Sequence, residues 1–92
     1  MNIELSKQDQ YVIAEYIYSY KSDILIISDA TDLISSLESN KLISESLAEE
    51  YRSAVKRKDA RIAIILAVKL QETIPAEQRE EIMNAYFKGQ LP

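Results

Sequence analysis

Glycine occurs once in these 92 residues, at Gly89, and proline twice, at Pro75 and Pro92. Tight hairpin turns and phosphate-cradling loops use backbone conformations that glycine alone adopts at low cost. A chain this poor in glycine can build few of either. Cysteine and histidine are absent, which excludes disulfides, zinc fingers, thiol nucleophiles and imidazole bases. With 47% apolar and 28% charged residues, the composition is that of an ordered globular domain, and the length suits one hydrophobic core. The expectation is a single all-α domain over residues 1–92, a compact bundle of five helices with a sixth left open.

The N-terminal stretch Met1-Asn2-Ile3-Glu4-Leu5 is short and acidic, unlike the basic start of a signal peptide. The longest apolar runs, Ile24 to Ile27 and Ile62 to Val68, are far shorter than the ~20 residues of a membrane span. Cytoplasmic location is the resulting expectation.

Ile13, Ile17, Tyr20, Ile24 and Ile27 recur at steps of four and three, marking one face of a first helix. Ser6, with Asp9 three residues on, supplies its cap. Tyr11, Tyr18 and Leu25 form a second stripe on nearly the opposite face. Either the helix bends near Lys21-Ser22-Asp23, or part of that stripe faces a partner. The polar cluster Ser28 to Asp32 should end the first helix and start the second, which presents Ala30, Leu33, Ile34 and Leu37. After the break at Asn40-Lys41, Ser44 caps a third helix carrying Leu47, Tyr51, Ala54 and Val55. Lys56-Arg57-Lys58 closes that helix and Asp59 caps the next. The fourth segment, Ala60 to Leu70, is apolar nearly all round, so it is expected at the centre of the core. Pro75 opens a fifth helix that buries Ile82, Met83 and Tyr86 and ends at Gly89.

Charge is unevenly spread. Residues 1–50 hold ten acids and three bases, whereas residues 51–71 hold six bases and one acid. Glu77, Glu80 and Glu81 share a helix face, and Glu49 and Glu50 point apart. Neither group has the spacing that places a substrate between catalytic carboxylates, and no metal-ligand pattern occurs. No enzyme activity, cofactor, metal or small-molecule substrate is expected. The basic set Arg52, Lys56, Arg57, Lys58 and Arg61 could neutralise phosphates, but the chain's net charge of −4 opposes nucleic-acid binding, and no aromatic platform accompanies the set. Acidic and basic surfaces on one small body instead favour head-to-tail contact between copies. Tyr11 and Tyr18 would suit the role of aromatic anchors.

The stretch Asp29 to Leu66 resembles a caspase recruitment domain of the death-fold superfamily. The resemblance rests on Leu33-Ile34 and Leu37, the turn Glu38-Ser39-Asn40-Lys41, the pair Leu42-Ile43 and the cap Ser44. Tyr51, Lys56-Arg57-Lys58, Asp59 and Ile64-Ile65 continue in matching register, and the divided stripe upstream is similar to that family's bent first helix. Three features depart from it. Asn40-Lys41 stands where the family often has glycine, the link Gln71 to Pro75 is longer than usual, and only three residues follow the fifth helix where a sixth is usual.

The resemblance implies a module that recruits or clusters effectors in cell-death or immune signalling, bacterial antiphage defence included, with itself or another death-fold domain as partner. In that reading the basic edge (Arg52, Lys56, Arg57, Lys58, Arg61) docks on acids of the next copy, with Asp23, Asp29, Asp32 and Glu38 as candidates. The alternative is a small acidic helical protein, phage-encoded inhibitors included, that masks a basic surface on a host protein.

Overall fold

Two serines set the two best-defined helix starts. In the computed structural model, which describes residues 2–24 and 26–91, Ser6 Oγ accepts from the Asp9 amide at 3.0 Å and Ser44 Oγ from the Leu47 amide at 3.1 Å. Each satisfies an amide that the first helical turn leaves unpaired. The helices are α1 (Lys7–Lys21), α2 (Ile27–Ser39), α3 (Glu45–Lys56), α4 (Arg61–Thr73) and α5 (Ala76–Phe87). Among the described residues all regular structure is helical, and no helix is long and apolar enough to cross a membrane.

Four of the five helices stop in the same way. Asp23, Lys41, Lys58 and Gly89 follow α1, α2, α3 and α5 with φ of 57°, 59°, 58° and 70°. The next residue's amide reaches back to the last turn: Ile24 to the Ser19 carbonyl, Leu42 to Leu37, Asp59 to Ala54 and Gln90 to Ala85, at 2.9–3.0 Å. This is the Schellman arrangement, in which a left-handed residue lets the chain turn back on the carbonyls left unpaired at the helix end. Three of the four left-handed positions hold a side chain rather than glycine. The chain therefore makes its turns at some cost in backbone strain.

The first of these turns corrects the sequence reading of α1. The helix stops at Lys21 rather than running to Ile27, so Ile24 and Ile27 leave the face they share with Ile13 and are 61% and 54% exposed. Leu25 lies outside the described residues. The Ser28 to Asp32 cluster falls inside α2, whose N-cap is Ile26 with no side-chain cap. Asp29 sits in the first turn, where its charge suits the helix dipole, and it accepts the Ser19 hydroxyl at 2.8 Å.

The core is built around α1, which packs against α2, α4 and α5, while α3 packs on α2 and α4. Ile13, Leu33, Ile34, Leu37, Leu66 and Ile74 are essentially inaccessible, and the whole Tyr16 ring lies among them with its hydroxyl donating to the Ala63 carbonyl of α4 at 2.9 Å. At the other end of α1, Asp9 accepts from Ser36 at 2.9 Å and from Asn40 at 3.0 Å. Burial pushes the Asp9 carboxyl up, but the bonds from Asn40 and Ser36 and the contact with Ser6 outweigh it and hold the group below its ordinary value. Gln78 of α5 is buried and clamps the N-terminal strand of chain, accepting from the Ile3 amide at 2.8 Å and donating to its carbonyl at 2.6 Å. In α5, Ile82 is buried as expected, whereas Met83 and Tyr86 are half-buried.

The expectation that α4 forms the centre is overturned. Only Ile62, Leu66 and Leu70 of this helix are buried, and Ile64, Ile65 and Val68 are 60%, 41% and 46% exposed. A five-helix body of this size has too little interior to surround one helix on every side.

Candidate interaction surface

The basic candidates lie along α3, the turn after it and the start of α4. Lys56, Arg57 and Lys58 are exposed. The outer two members of the set are already paired within the molecule. Arg52 meets Glu38 at 2.6 Å across the α2–α3 seam, and Arg61 meets Asp59 at 2.6 Å. Asp59 also accepts from the Arg61 amide at 3.1 Å, so it does cap α4, although the N-cap position is Ala60. Hydrogen bonds from the Arg61 side chain and backbone bring the Asp59 carboxyl down to about 2, and the carboxylate raises the guanidinium in turn.

The acidic candidates do not gather into one surface remote from these bases. Glu38 belongs to the Arg52 pair, and Asp23 occupies the left-handed position after α1. Asp29 and Asp32 border a groove together with Glu15, Tyr11 and Tyr18. Among the described residues no lysine or arginine lines that groove.

Tyr11 and Tyr18 turn toward α5 rather than standing free. Their rings lie 5.8 and 6.1 Å from the Tyr86 ring, and Tyr18 stands edge-on to Phe87 at 5.8 Å. The tilted and edge-to-face geometries are those that aromatic quadrupoles favour. Tyr11 donates to Glu15, and this bond, with the carboxylate's charge, raises the phenol. Burial and Glu15 raise Tyr86 as well. This cluster mends the edge of the α1–α5 contact and leaves Phe87 65% exposed at its rim.

The largest aliphatic exposure lies elsewhere. Ile64, Ile65 and Val68 occupy the outer face of α4, and Ile26 and Ile27 are exposed at 55% and 54% at the start of α2. A shallow groove of about 300 Å³ runs between these two elements, floored by Ala30, Val55, Ile62 and Ala63 and edged by Ile26, Ile27 and Lys58. Ala60 lies at its α4 margin and shares a helix side with Ile64, one turn on. Isolated surface isoleucines are ordinary, but Ile64, Ile65 and Val68 stand exposed together on one helix face, and Ile26 and Ile27 stand exposed as a separate pair at the start of α2.

Sequence reasoning missed this face because it read an all-round apolar helix as an enclosed one. The available signal was the bundle's size, together with the charged residues Arg61 and Glu72 near the two ends of the run. No protein-family model, no curated protein and no solved structure matches the chain. Its class therefore rests on what the structure displays: an all-α five-helix domain with an apolar outer helix face and a basic edge.

Proposed function

We propose that this chain is a non-catalytic protein-interaction module of the cytoplasm that works by binding copies of itself or related helical domains. The observation that carries the reading is the exposed aliphatic face of α4 formed by Ile64, Ile65 and Val68. Such a face supplies residence time in a complex, and the adjoining Lys56, Arg57 and Lys58 supply orientation and encounter rate. The anchor role that the sequence suggested for Tyr11 and Tyr18 passes to Ile64 and Val68, since the tyrosines pack on Tyr86 and Phe87.

The resemblance to a caspase recruitment domain supports the homotypic part of this reading, and with it the clustering of effectors in defence or cell-death signalling. Lys41 adopts a glycine-like φ of 59° at the turn where that family often carries glycine. Sedimentation equilibrium up to about 1 mM, the weak end of useful affinities, tests the proposal. Wild type should self-associate and Val68→Glu should remain monomeric with its fold intact. A wild type that stays monomeric throughout would overturn the homotypic reading. It would favour the alternative, in which the acidic groove of Glu15, Asp29 and Asp32 covers a basic surface on an unrelated protein.

A further inference from the structure

Arg61, Ile65, Val68 and Glu72 are spaced by four, three and four residues, so they form one straight stripe along the outer face of α4. All four are exposed. The stripe reads cation, aliphatic, aliphatic, anion, and it is symmetric about the midpoint between Leu66 and Ala67. Turned end for end, it presents an anion opposite the cation, an aliphatic opposite each aliphatic, and a cation opposite the anion.

We infer that α4 pairs with α4 of a second copy, antiparallel about a two-fold axis, to give a closed dimer. The inference rests on the homotypic reading above and assigns it a geometry. In that arrangement Arg61 faces the second copy's Glu72, and Ile65 faces the second copy's Val68, each contact occurring twice. An isologous contact of this kind uses the same patch on both copies and stops at two, whereas head-to-tail docking of separate surfaces propagates.

The placement of the two charges gives independent support. A helix favours anions at its first turn and cations at its last, yet α4 begins with Arg61 and carries Glu72 one residue before its end. Each charge has the wrong sign for its own helix dipole and the right sign for an antiparallel neighbour's. Arg61 is paired with Asp59, yet both charges keep capacity for a further partner. Asp59 takes the Nε and Nη2 donors of Arg61, leaving its remaining donors free. Among the described residues Glu72 has only a long 3.6 Å contact to Lys69, and its side chain stays 56% exposed.

Charge reversal tests this geometry. Sedimentation velocity over a concentration series, on the full chain, would compare wild type with Arg61→Glu, Glu72→Arg and the double variant. The wild type should reach a dimer and go no further. Each single reversal sets like charges against each other at both ends of the interface and should weaken the dimer at least tenfold. The double reversal restores opposite charges and should bring the dissociation constant back to within about threefold of wild type. Melting curves guard against misfolding; the double variant loses the exposed Arg61–Asp59 and Lys69–Glu72 contacts but gains charges that suit the α4 dipole, so its melting temperature should stay within about 5 °C of wild type. Association beyond a dimer, or singles that dimerise like wild type, or a double variant as weak as the singles, would each overturn the antiparallel geometry while leaving self-association standing. A wild type monomeric at every concentration would overturn both.

Discussion

The Tyr16 hydroxyl on α1 donates to the Ala63 carbonyl on α4 at 2.9 Å, from a ring with no exposed surface. One side chain thereby fills the centre of the core and fixes how α4 lies across α1. Burial raises the phenol far above its ordinary value, with smaller contributions from Tyr20 and Asp29. Tyr16→Phe keeps the ring and loses the bond. It should cost about 0.5–1.5 kcal/mol in urea unfolding, with the slope unchanged. A loss of less than about 0.3 kcal/mol would show that the bond adds nothing to the packing of the ring.

The two faces of α4 should respond differently to truncation. Leu66 is fully buried, and Leu66→Ala should cost about 2–5 kcal/mol, the range for an aliphatic removed from a tight core. Ile65 is 41% exposed, and Ile65→Ala should cost less than about 1 kcal/mol in the monomer. Chemical denaturation at low protein concentration separates the two. Equal losses at both positions would mean that α4 is enclosed after all.

Lys41 spends backbone strain that glycine would not. At φ of 59° a side chain pays roughly 1–2 kcal/mol of steric cost, partly offset by the larger entropy glycine loses on folding. Lys41→Gly should therefore stabilise the domain by up to about 1 kcal/mol, raising its melting temperature by several degrees. A lower melting temperature would mean that the lysine side chain contributes something the left-handed turn alone does not explain.

Asp9 ties the start of α1 to the end of α2, and its carboxyl is held below its ordinary 3.8. A group depressed in the folded state contributes stability above its unfolded value and loses it as pH falls through the folded one. Wild-type melting temperature should thus fall as the pH drops below about 4, and Asp9→Asn should blunt that fall while lowering stability at pH 7. Parallel melts from pH 2 to 7 measure both. Identical acid slopes for the two proteins would place the acid sensitivity on other carboxylates.

Local chemistry written in the sequence was enough for the all-α class, the Ser6 and Ser44 caps, and the buried faces of α2 and α3, because each depends on residues within one or two helical turns. Ala30, Leu33, Ile34 and Leu37 occupy the interior as their spacing requires. The end of α1 was only half legible. Lys21 to Asp23 was identified as a place to bend, but termination there depends on Asp23 accepting a left-handed conformation, which an aspartate tolerates and does not dictate.

Which side of α4 faces inward was decided by tertiary structure alone. A helix apolar on every side carries no periodic signal, so its sequence cannot say which residues meet Tyr16 and which remain outside. The same holds for the charges. Sequence counts separated an acidic half from a basic segment, whereas folding set Glu38 against Arg52 across the α2–α3 seam and left Lys56, Arg57 and Lys58 open. Periodicity reports local faces, but pairings between residues far apart in the chain exist only once the helices have packed, and the candidate surface is made of such pairings.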